Sequence, residues 1–177
     1  MRRFLAAAFL FAVSLPAAEH ARIPRPEIAN LEKIVNTQLG GMFPEEPWLL
    51  LGYTRGIYIE GVGVVFSADV NLATGPTVSP FSPNPGKEVL AGHHDKKLKR
   101  LPKLRETMYS IVRNMSTFLP ALPPDEQVVF AVTLLRYPWE TGNDIPSQIV
   151  MQVSRGRLLE AVAKNTALSS VVRAEEY

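Results

Sequence analysis

Apolar residues along this chain recur at two spacings, and the spacing switches four times between the first third and the C-terminus. In "PEIANLEKIVNTQLGG" the residues Ile28, Leu31, Ile34, Val35 and Leu39 step by three and four, behind Pro26 and ahead of Gly40. That pattern and that punctuation predict an amphipathic helix. Between Trp48 and Leu72 the chain is rich in β-branched and aromatic residues, and Phe66, Ala68, Val70 and Leu72 alternate with Ser67, Asp69 and Asn71. The reading there is a β-hairpin turning at Glu60 to Gly63. Helical spacing returns at Leu101, Leu104, Met108, Ile111, Val112, Met115, Phe118 and Leu119, which predicts a central helix from about Pro102 to Leu119, with an added turn before it capped by Asp95. "EQVVFAVTLLRY" and "SQIVMQVS", joined by "PWETGNDIP", form a second expected hairpin. Ser154 is placed to cap a last helix over "RGRLLEAVAKN".

Helix, hairpin, helix, hairpin, helix is an α+β order. Two apolar layers bury each other best as a two-layer sandwich, a four-stranded and mainly antiparallel sheet with the helices on one face. Residues 26–165 are expected to be one domain, with a long Pro-rich loop over 73–95 and a weakly structured tail over 166–177. "VVFSADVNL" from Val64 and "VVFAVTLLR" from Val128 invite comparison as halves of a duplicated strand-strand-helix unit, but share only three residues at their start. The element order is similar in outline to that of profilin-like modules and of secretion-chaperone folds, a likeness that implies nothing about function.

The N-terminus reads differently from the rest. Arg2 and Arg3 precede an apolar run from Phe4 to Leu15, and small residues follow Pro16. This is the layout of a secretory signal peptide over residues 1–18, followed by a linker over 19–25. The apolar run is about 12 residues, against the roughly 20 a helix needs to cross a bilayer, so no permanent membrane span is expected after cleavage. The expected destination is the periplasm or the extracellular space, reached by general secretion. The chain contains no cysteine, which removes disulfides, thiolate metal sites and a cysteine nucleophile. Without Arg2 and Arg3 the 19 basic residues become 17 against 17 acidic ones, so no global field draws nucleic acid.

Local charge is another matter. "HHDKKLKRLPKLR", His93 to Arg105, holds six Lys or Arg and two His. Lys96, Lys97, Lys99, Arg100 and Lys103 surround the stripe Leu98, Leu101, Leu104. One reading docks the leucines on the sheet and leaves the cations in water. The other makes the cations a handle for an anionic envelope component or an acidic protein partner, weakened by salt. Arg155 and Arg157, in the first turn of the last helix where the dipole disfavours cations, add to that binding set. Trp139, beside Tyr137 in a Pro-flanked loop, either caps the open end of the sandwich or forms a recognition tip.

Candidates for acid/base or metal-assisted hydrolysis are His93, His94 and Asp95, with Glu60 or Asp69 from the first hairpin. Adjacent histidines point about 100° apart on a helix, so no native metal or cofactor is assigned. No G-x-S-x-G elbow, phosphate-cradling loop or dinucleotide fingerprint occurs. The sequence therefore points first to an exported, non-enzymatic binding module, with a homodimer through an open sheet edge as one partner option, and second to a small exported hydrolase.

Overall fold

A computed structural model describes residues 23–76, 85–140, 142 and 144–177 of the chain. The expected signal peptide over 1–18, most of the linker, and residues 77–84 of the Pro-rich loop lie outside the described residues. α1 (Arg25–Gly40) buries Ile28, Leu31, Val35 and Leu39. β1 (Leu49–Leu50) and β2 (Arg55–Ile59) follow, then β3 (Gly63–Asn71), the long α2 (Lys87–Phe118), β4 (Gln127–Leu134), β5 (Gln148–Ser154), α3 (Arg155–Ala163), a 3-10 turn (Leu168–Ser170) and β6 (Arg173–Glu176). The class is α+β. The sheet has six strands where four were expected, in the order β1, β3, β4, β5, β6, with β2 sharing the β1 side of β3.

Both hairpins form. β2 pairs antiparallel with β3 around a turn containing Gly61, at φ +77°, and Gly63, at φ +131°. β4 pairs antiparallel with β5. The two central strands, β3 and β4, are parallel, with Val64, Val65 and Phe66 beside Val128, Val129 and Phe130. The cause is α2. A helix of 32 residues is about 48 Å long. It returns the chain to the end of the sheet where β3 began, so β4 sets out in the same direction. The matching "VVF" triplets are thus neighbours in register, and they do not occupy equivalent places in a repeat: β3 is the second strand of its hairpin and β4 the first of its own.

Three further expectations are corrected. α2 begins at Lys87, behind Gly86, so residues 87–95 are helix instead of loop, and Asp95 lies within the helix and caps nothing. Pro102 sits in its interior, where it cannot donate a backbone N–H. The C-terminal tail is structured, since β6 pairs with β5 from Gln152↔Arg173 to Ile149↔Glu176, and Val172 is buried. "RAEE" carries no apolar alternation because an edge strand is held by its backbone ladder and kept soluble by charge. Ser154 occupies the N-cap of α3 but its side chain makes no capping bond.

Burial alternates along β3, β4 and β5, and the buried residues Val64, Phe66, Val70, Val128, Phe130, Val132, Ile149 and Met151 meet Leu104, Met108, Ile111 and Met115 of α2. Among the described residues the buried apolar side chains of α1, α2 and α3 join this one core. The other face carries Val65, Ser67, Asp69, Val129, Ala131, Thr133 and Val150.

Candidate functional site

Parallel strands end at the same edge, and there β3 and β4 leave carbonyls beyond their last ladder pairs. A buried carbonyl without a donor costs about 1–3 kcal/mol. The first half of α2 supplies the donors. His93, Lys97 and Arg100 stand at i, i+4 and i+7, on the same stripe as Leu101, Leu104 and Met108, and all three are buried. His93 Nε2 lies 2.9 Å from Ala73 O. Lys97 Nζ donates to Leu135 O at 2.8 Å. The Arg100 guanidinium donates to Pro47 O at 3.0 Å and also to Leu72 O.

The buried charges have partners. Lys97 Nζ donates to Glu140 Oε2 at 2.8 Å, and the pair's side chains are 2% and 4% exposed. Tyr137 N donates to the same oxygen at 2.6 Å. Burial drives the Lys97 ammonium below the ordinary lysine range, and the Glu140 carboxylate offsets part of that drop. Arg100 is paired with Glu46 and lies over the Phe43 ring, 4.8 Å from its centroid. Hydrogen bonds from Lys96 and then from Arg100 hold the Glu46 carboxyl below the usual range.

Tyr137 ties this cluster together. Its hydroxyl accepts from Asn71 Nδ2 at 2.9 Å and from Gly75 N at 2.8 Å, its ring meets His93 edge-on at 5.3 Å, and Lys97 Nζ lies 4.9 Å from its centroid. Trp139 stacks on it, 4.6 Å between centroids and 4° from parallel. One face of the indole is thereby covered while Trp139 as a whole stays 37% exposed. The ring borders a cleft of about 430 Å³ lined by Leu90, Ala91, His94, Trp139, Glu140, Gly142 and Asp144. At its rim His94 Nε2 lies 2.7 Å from Asp144 Oδ2, and that hydrogen bond holds the Asp144 carboxyl below the usual range. Behind it, Glu140 Oε1 and His93 Nδ1 are 3.6 Å apart, both buried and neither hydrogen-bonded to another described residue.

The cationic run is therefore neither a wet face nor a continuous patch. Lys97 and Arg100 point inward, Lys96 reaches Glu46 at 3.1 Å, Lys103 reaches Glu106 at 2.9 Å, and Arg105 grips Glu176 at 2.6 and 2.8 Å. Lys99 is exposed. Arg157 is exposed on α3, but the first-turn N–H groups of Arg155 and Gly156 already donate to Glu126 O and Pro124 O, at 2.9 and 2.8 Å. The five hydrolase candidates do not converge. His93 and His94 diverge to different partners, Asp95 is exposed, Asp69 faces the helix-free side, and Glu60 lies at the start of β3 while His93 caps its end, roughly 30 Å away by strand rise. The described residues contain no cluster of three or more His, Asp or Glu able to hold a metal ion. Sequence reasoning missed Glu140 and Asp144. Nothing in "PWETGNDIP" separates them from solvated loop acids, and the burial of Lys97 and Arg100 depends on distant partners, Glu140 and Glu46.

Compared with known proteins, the chain matches no family model, no curated protein and no solved structure. The outline likeness to profilin-like and secretion-chaperone folds thus remains one of element order.

Proposed function

We propose that the chain is an exported, non-catalytic binding module whose ligand lodges in the cleft beside Trp139. Export rests on the signal-like layout of residues 1–18. The observation that carries the binding site is the stacked Tyr137–Trp139 pair, which borders a cleft at the end of the sheet where the two parallel strands stop. The cleft's size falls within the range of small-molecule sites, and its carboxylates favour hydrogen-bond donors over anions. The ligand class is a polar molecule with hydroxyl or amide donors beside a flat apolar face, as in a saccharide unit.

The test is emission from Trp139 in a Trp48→Phe background, titrated with a panel of mono- and disaccharides. A saturable change with one of them, weakened by Asp144→Asn, supports the reading. Trp139→Ala then separates recognition from capping: unchanged stability with lost binding fits recognition, while a loss of several kcal/mol without any saturable ligand response overturns the proposal.

A further inference from the structure

The sheet face that none of the described helices covers is the second feature of the molecule with unassigned chemistry. Two rows cross it from edge to edge. One is Ile57, Val65, Val129, Gln152, Arg173, and the next is Arg55, Ser67, Ala131, Val150, Glu175. Ile57 is 58% exposed, and Val65, Val129, Ala131 and Val150 are half-buried. The second row is cationic at its β2 end and anionic at its β6 end, and β4 is its midpoint.

We infer that this face is the interface of a two-fold dimer of the chain, sheet against sheet. A two-fold axis parallel to β4, midway between the copies, reverses the strand order while keeping the rows aligned. β2 then lies over β6 of the second copy, β3 over β5, and β4 over β4. Arg55 of each copy meets Glu175 of the other, Ile57 meets the aliphatic stem of Arg173, and the Val129 and Ala131 pairs close the middle. The contact is isologous, as two-fold interfaces must be, and sheets packed face to face in the aligned mode hold their strands within about 30° of each other. Glu175 is already bonded to Arg173 and to the Tyr177 hydroxyl, which fixes it at the row's end without burying it.

Size sets the expected strength. Five strands about 4.8 Å apart and some six residues along each give roughly 500 Å² in plan per copy. That is the small end of specific interfaces, so the dimer forms in the micromolar range. Sedimentation of the full chain between ~1 and ~300 μM, a span that brackets micromolar dissociation constants, tests this. The expected result is reversible dimerisation that Arg55→Glu and Glu175→Arg each weaken about tenfold or more, and that the double charge swap largely restores. Ile57→Asp is expected to give a monomer with unchanged circular dichroism. A chain that stays monomeric throughout the range overturns the inference. So does a dimer indifferent to Ile57→Asp and to both charge reversals, which would have to use another surface such as the outer edge of β6.

Discussion

Lys97 and Glu140 are the two residues on which the end of the sheet depends. Each is almost fully buried, and each carries hydrogen bonds beyond the ion pair itself: Lys97 to Leu135 O, Glu140 from Tyr137 N. A charge buried in this way is tolerable only while its partner stays, so Glu140→Leu and Lys97→Met are each expected to cost about 3–5 kcal/mol. The double variant Lys97→Met with Glu140→Leu is expected to cost much less than their sum, because it buries no uncompensated charge. Urea unfolding of the four chains measures the coupling directly. Equal and additive losses would mean that the pair is hydrated and that its members act independently. Gly63 is a different kind of necessity. Its φ of +131° is open to glycine, and a Cβ there would overlap the backbone of Gln127, the residue it pairs with on β4.

At the scale of elements, α2 does two jobs with two halves. Its second half is an ordinary apolar stripe, Leu104 to Met115, lying on the sheet. Its first half is polar yet internal, fastening the ends of β3 and β4 through His93, Lys97 and Arg100. Between the two, Arg105 reaches β6 and holds the Glu176 carboxyl below its usual range by a paired hydrogen bond. A carboxyl depressed in the folded state contributes stability in full above its unfolded value and loses it as pH falls through the folded one. The bridge is more than a third exposed, so its worth is well below about 1 kcal/mol overall. Its effect is expected locally: amide protection of β6 falls between neutral and acid pH, and Glu176→Gln removes that fall. Hydrogen exchange of β6 amides at the two pH values, corrected for intrinsic rates, is the measurement.

For the molecule as a whole, stability should be layered from the middle outward. β3 and β4 pair with strands on both sides in the middle of the sheet, while β1 has two residues and β6 has no outer neighbour among the described residues. Exchange of the β3 and β4 ladder amides is expected to require global unfolding, with β1 and β6 opening at lower free energy. Native-state exchange across a denaturant series would show this order. Protection of β6 equal to that of β4 would instead mean that its edge is covered in solution, as by a second molecule.

What the sequence determined by itself is the three helices, the two hairpins and the α+β class, while β1, β6 and the first turns of α2 were not foreseen. Ile28, Leu31 and Val35 on one helix, the Phe66 to Leu72 alternation, and the Leu104 to Met115 stripe each lie within one local window, and burial of their apolar faces leaves an α+β sandwich as the economical solution. The two hairpins were legible for the same reason. Only the tertiary structure decided that β3 and β4 are parallel neighbours, because that follows from the reach of α2 across the sheet. Only the tertiary structure decided, too, that the most basic stretch of the chain is partly internal. A lysine is buried when a carboxylate meets it, and the one that meets Lys97 is Glu140, 43 residues further along the chain. Apolar periodicity is a property of neighbouring residues and shows in the sequence. Charge compensation is a property of residues brought together by the fold, and it appears only once the strands have set where the chain ends meet.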